Sequence, residues 1–256
     1  MKIRLQPFLL ILAAVHLLLV GGWIVWEWTQ VTGLRHGGDG MPLGGDFANL
    51  WTAALMMASG QAVEIYRPEA FMDAQFAIFG PSEELRLWVY PPTSLILFGV
   101  FGAVSYVLAF ALWTLLGLGV LWWGARRVGL GILPTALLLS SPAVLHCIYF
   151  GQSGNLAAGL LLAALSYPAR GAWGAGAATV ALTVKPQLGV LVPVSWAIQG
   201  AWRMIGVVAL AVLCLWGAGL AGFGFPVWQA YLGETLPVLR VLEYEGSGPF
   251  VFERYD

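Results

Sequence analysis

The chain has 256 residues, 59% of them hydrophobic and only 10% charged, with a mean hydropathy of +0.81 and a formal net charge of -1. Soluble domains carry about 25% charged residues, so this composition excludes a soluble globule. Lys and Arg are not clustered on one face, which excludes nucleic acid as a partner.

The first predicted element is the apolar stretch from Pro7 to Trp28, behind the basic start of Lys2 and Arg4. About 20 residues suffice to cross a bilayer, and no small-x-small cleavage site follows, so a retained signal anchor over 7–28 is expected. A mixed loop over 29–92 comes next and holds seven acids: Asp39, Asp46, Glu64, Glu69, Asp73, Glu83 and Glu84. Within it Phe47, Leu50, Trp51, Ala54, Leu55 and Ala58 recur at i, i+3, i+4 spacing, which predicts an amphipathic helix over 47–59 lying on the membrane surface. A second short helix is predicted over 68–79.

Apolar segments follow at 93–125, 132–149, 155–168, 172–184, 187–200 and 204–224, separated by Gly, Pro or Arg. With the anchor they make about seven spans of an all-α, polytopic transmembrane helical bundle over 93–224, with 225–256 as an external tail. The segment 93–125 is too long for one crossing, about 50 Å as a helix against a core of about 30 Å. One crossing preceded by a half-helix at 93–104 is therefore expected. Helices 155–168 and 172–184 are short, so their outer ends should be recessed beneath the acidic loop.

Charge position sets the expected orientation. No Asp or Glu occurs between 92 and 233, where the only cations are Arg126, Arg127, Arg170, Lys185 and Arg203. With a cytoplasmic N-terminus and one crossing per segment, Lys2, Arg4 and every one of those arginines fall inside, as the positive-inside rule requires. The acidic loop, the Gly151–Asn155 break and Lys185 then fall together on the outer face.

Asp46 lies in Gly44-Gly45-Asp46-Phe47, at the start of the predicted surface helix. Its side chain would either cap that helix or act as a general base toward a sugar hydroxyl. A lysine inside an apolar interval is costly and marks an ion or substrate site unless it snorkels to the interface. Lys185, ahead of the helix-breaking Pro186, suits a phosphate as its partner. Gln152 and Asn155 are either the polar turn between two spans or amide donors to a sugar or phosphate. His146 reads first as a satisfied bundle residue, and Tyr66, Tyr90, Pro91 and Pro92 by themselves read as structural, with aromatics in an interfacial belt. Cys147 and Cys214 stand in apolar runs with no metal-ligand spacing and read as small buried hydrophobes.

Taken in order, the anchor, Gly-Gly-Asp46-Phe with its helix, Tyr66, Tyr90-Pro91-Pro92, Gly151-Gln152-x-x-Asn155 and Lys185-Pro186 resemble glycosyltransferase family 87 over nearly the whole chain. The resemblance implies a GT-C membrane fold and a mannose-like sugar taken from a polyprenyl-phosphate carrier on the outer face of a bacterial plasma membrane. The acceptor would be a lipid or glycan. It also implies that the aspartate of the first external loop, here Asp46, is the catalytic base. Lys185, Gln152, Asn155, Tyr66, Tyr90 and His146 become the substrate-binding candidates, with no metal and no cofactor beyond the lipid-linked donor. Family members continue through several more helices, whereas this chain stops at Asp256, so a product cut short of the family's length is expected. Broken helices and an isolated cation also suit a transporter or lipid-flipping scaffold, but such folds show two similar halves and no internal repeat is present. The early stop points to a third alternative, an inactive assembly partner.

Overall fold

A computed structural model describes residues 5–36, 40–80 and 86–238. Asp39, Ser82, Glu83, Glu84 and the segment 239–256, with its acidic run from Glu243, lie outside the described residues.

The anchor is one continuous helix, α1 (Pro7–Thr29), containing a π-helical turn at Leu17–Gly21. Most of its apolar side chains are exposed, as a lipid-facing helix requires. Its N-terminal half touches the helix at 132–139, and it packs more closely near its C-terminal end. There Ile24 packs with Met41, Leu145 and Tyr149, and the rings of Trp23 and Tyr149 lie 4.9 Å apart. A hairpin follows, β1 (Val31–Thr32) paired with β2 (Arg35–His36).

Helix α2 (Phe47–Ala58) forms where the i, i+3, i+4 spacing predicts it, but it is not a surface helix. Phe47, Ala48, Leu50, Thr52, Ala53, Ala54 and Met56 are all buried, leaving no polar face. Close backbone packing contributes: a Cβ on Gly102 would lie 2.4 Å from the Ala54 carbonyl oxygen, so the turn at Gly99–Ala103 seats directly on the helix backbone. Helix α3 (Pro68–Phe79) has Pro at its start, where its missing N–H costs nothing, and is followed by Gly80 at φ +73.

The segment 93–125 divides at Val104 and Ser105, both extended, into the short α4 (Thr93–Ala103) and the span α5 (Tyr106–Arg127). Twenty-two residues give about 33 Å of helix, enough for the hydrocarbon core. The stretch 132–149 is broken at the Ser140-Ser141-Pro142 step into α6 (Ile132–Leu139) and α7 (Pro142–Tyr149), bent by 47°. Then come α8 (Gly154–Leu165), α9 (Ala172–Val184), α10 (Pro186–Ile198) and α11 (Trp202–Phe223). By length and composition α1, α5 and α11 can cross a membrane, with the bent α6–α7 pair as a fourth. The seven apolar stretches therefore do not become seven full-length spans; the others are shorter helices. The bundle is all-α, and the chain is an integral membrane protein.

Helices α5 and α8 run side by side in the same direction. A Cβ on Gly117 would meet Asn155, one on Gly159 would lie 2.4 Å from the Val120 carbonyl oxygen, and one on Gly124 would clash with the Gly159 carbonyl. Small residues permit this approach, as in other membrane helix pairs. At the far end of the pair, Arg127 donates to Ser166 Oγ (3.0 Å) and to the carbonyls of Arg170 (2.9 Å) and Gly171 (3.1 Å). The two ends of α5 thus define two ends of the bundle, and Arg126, Arg127 and Arg170 gather at the C-terminal one.

The segment after α11 is docked. Helix α12 (Phe225–Ala230) continues through a π-helical turn at Tyr231–Thr235, where Thr235 Oγ1 donates to the Tyr66 carbonyl at 2.9 Å and Glu234 lies 3.6 Å from Arg67.

Candidate active site

Two glycine-rich loops meet at the N-terminal end of α5. Gly44 and Gly45 have φ of +72 and +39, and Gly151 has φ +60, conformations that side-chain-bearing residues rarely adopt. Space also demands glycine: a Cβ on Gly151 would lie 2.2 Å from the Gly44 carbonyl oxygen, and one on Gly44 would lie 2.5 Å from the Phe110 ring. The contact is fixed by the Asp46 N–H donating to the Phe150 carbonyl at 3.0 Å. Trp113 Nε1 in α5 donates to the Gly151 carbonyl at 2.9 Å, and Tyr106 Oη donates to the Leu43 carbonyl. Asp46 and the Gly151–Asn155 break, over a hundred positions apart, are neighbours.

The Asp46 side chain is exposed and makes no capping bond to α2, although the residue stands at the N-cap position. A carboxylate that reaches water beside two glycines, without a helix N–H to satisfy, is open to approach by another molecule.

The same loop reaches Lys185 at its other end. Tyr90 Oη and Ser153 Oγ are 3.1 Å apart, and Lys185 Nζ sits 5.9 Å from the centre of the Tyr90 ring, within cation–π range. Lys185 is half-buried between α9 and α10 and has no carboxylate within ion-pair distance among the described residues. Behind Tyr90 stands the fully buried Trp88, ring centres 4.8 Å apart. Trp88 Nε1 in turn donates to Tyr66 Oη at 3.3 Å. Burial pushes the Tyr66 phenol far above its ordinary value, so it stays a neutral hydroxyl. Tyr66, Trp88, Tyr90 and Lys185 therefore form one row running from the core to the loop.

The remaining candidates are placed as follows. Gln152 is half-buried and, with Trp113, Gly117, Cys147 and Asn155, lines a crevice of about 10 Å³, room for one water. Asn155 is buried and donates its amide to the Val144 carbonyl at 3.3 Å, joining α8 to α7. His146 is exposed on α7 with its ring 4.5 Å from Phe150. Among the described residues no group of three or more His, Cys, Asp or Glu is placed to hold a metal ion.

Three residues of this arrangement escaped the sequence reading: Trp113, Trp88 and Ser153. Trp88 carried a faint signal, since it alternates with Tyr90 in an extended Trp-Val-Tyr-Pro-Pro run that puts both rings on one side.

The model of glycosyltransferase family 87 matches residues 88–250, an interval that opens on Trp88 and contains Tyr90, Gln152, Asn155 and Lys185 while leaving Asp46 and Tyr66 ahead of it. No curated protein and no solved structure matches the chain. With well over half of its length matched, and its aromatic row and glycine loop inside the match, the chain belongs to glycosyltransferase family 87 and is a membrane glycosyltransferase.

Proposed function

We propose that the protein transfers a mannose-like hexose from a polyprenyl-phosphate carrier to a hydroxyl of a lipid or glycan acceptor, within a GT-C-type bundle and without a metal ion. The site would face outward from a bacterial plasma membrane, with the N-terminus in the cytoplasm. Asp46 takes the acceptor proton while the hydroxyl oxygen attacks the anomeric carbon from the face opposite the leaving group, inverting it. The bond from that carbon to the carrier phosphate breaks, and the carrier leaves as polyprenyl phosphate. Lys185 Nζ and the Gln152 amide meet the charge on that phosphate, the electrostatic contribution such sites depend on. His146 borders the acceptor side through its place beside Phe150. Tyr66, Tyr90 and Asn155 hold the cation and the loop in position.

The observation that carries this reading is the Phe150–Ser153 loop, bonded at Phe150 to the Asp46 amide and at Ser153 to the tyrosine beneath Lys185. The loop that links the two is three residues long, at most about 11 Å from Phe150 to Ser153, which supports a base and a cation serving one site. The test is Asp46→Asn in membranes supplied with a radiolabelled polyprenyl-phosphate sugar. Transfer should be lost while membrane insertion is unchanged, since no capping bond is removed. Turnover near wild type would take Asp46 out of the chemistry.

A further inference from the structure

The end of the bundle opposite the site is cationic, and among the described residues no carboxylate pairs with its arginines. Arg127 is engaged by Ser166 Oγ, two carbonyls and the Trp123 ring, 5.4 Å from its guanidinium carbon. Arg126 and Arg170 are exposed and converge on the turn after α5. Arg126 Nη1 donates to the Leu130 carbonyl, and a Cβ on Gly129 would lie 3.8 Å from Arg170 Nη2. Two guanidinium groups on one turn repel each other, and neither has a carboxylate within ion-pair distance among the described residues. The sequence supplies none between 92 and 233. Each group keeps free N–H donors beyond the single bond that Arg126 makes. Around the turn the surface is apolar: Trp173 is 93% exposed and Ile132 70%.

We infer that Arg126 and Arg170 clamp the phosphate of an anionic phospholipid. A guanidinium fork matches phosphate oxygens, and the flanking indole and isoleucine face acyl chains where a free anion would leave them in water. A zwitterionic headgroup would add a cation to an already cationic turn, so a headgroup with net negative charge is the better match. The site is independent of the transfer reaction: it lies at the other end of α5 and uses none of the active-site residues.

The experiment uses the full chain purified from vesicles of phosphatidylglycerol and phosphatidylcholine in equal parts, with retained lipids counted by native mass spectrometry. Wild type should retain phosphatidylglycerol in preference. A basic residue near an anionic surface changes partition about fivefold, so Arg126→Gln with Arg170→Gln should lower the preference by about twenty-five-fold. Arg67→Gln, at the site end, should leave it unchanged. Arg126→Lys with Arg170→Lys keeps both charges and removes the forks, so it should fall between wild type and the glutamine pair; it also serves if the glutamine pair fails to fold. Excess inorganic phosphate should leave the lipid in place. Equal preference in wild type and in both double variants, or displacement by inorganic phosphate, overturns the inference.

Discussion

Gly151→Ala is the sharpest perturbation of the contact on which the site is built. The added Cβ would lie 2.2 Å from the Gly44 carbonyl oxygen and 2.6 Å from Phe47 Cβ, where real Cβ atoms essentially never sit. Both obstacles are backbone or the root of a buried side chain, so neither can swing aside. The φ of +60 adds about 1–2 kcal/mol for a residue with a Cβ, and overpacking a tight contact adds about 1–3 kcal/mol. The sum is a loss of about 2–5 kcal/mol, relieved only by moving the two loops apart and breaking the bond from the Asp46 N–H to the Phe150 carbonyl. Gly60→Ala is the matched control, because Gly60 has φ +77 but nothing within 4 Å of its Cβ. It should cost only about 1–2 kcal/mol. Thermal unfolding in detergent compares stabilities, and transfer from a lipid-linked sugar reports the site. Gly151→Ala should lower the midpoint further than Gly60→Ala and lose activity out of proportion to it. If the two variants have equal midpoints and equal activity, the contact does not hold the site together.

Two further outcomes follow from neighbouring residues. Trp113→Phe keeps the ring stack on Phe47 and Phe98 but leaves the buried Gly151 carbonyl without its donor, so it should cost about 1–3 kcal/mol in the same unfolding assay; an unchanged midpoint would mean the bond is idle. Lys185→Gln should weaken carrier binding and lower the rate, with Lys185→Arg less harmful but not neutral, because a planar fork does not replace a point charge. Equal affinity and turnover in all three forms would make Lys185 a snorkelling residue.

Local patterns were legible in the sequence, and contacts between distant segments were not. The anchor shows because its apolar run is as long as a bilayer is thick, and Lys185 shows because a cation in an acid-free interval has no ordinary reason to be there. Ser153 could not be paired with Tyr90, 63 positions away, nor Trp113 with Gly151, 38 positions away, since no periodicity reports such contacts. Apolar runs do not report where a helix ends or bends: Gly154–Leu165 is shorter than a full span, and 132–149 is bent. Hydropathy runs unbroken through Ser140-Ser141-Pro142, where the backbone turns by 47°. The apolar stripe of α2 leaves Ala48, Thr52 and Ala53 off it, yet all three are buried, because periodicity does not report what packs over a helix's other side.

The acid-free interval and the aromatic row explain each other. A carboxylate beside Lys185 would hold it firmly but also neutralise it, and the desolvation cost of a buried pair often cancels its Coulombic gain. A tyrosine face holds an ammonium by its quadrupole and leaves the net charge in place. The orientation of that face is set by Trp88 behind it and by Ser153 at the hydroxyl, so the cation is positioned without being paired. On the proposed reading, that is what a site for a departing phosphate requires: a positive charge that the phosphate meets first, because no carboxylate among the described residues has claimed it. Asp46 makes no ion pair with Lys185: the Phe150–Ser153 loop bonds to the Asp46 amide at one end and to Tyr90, beside Lys185, at the other.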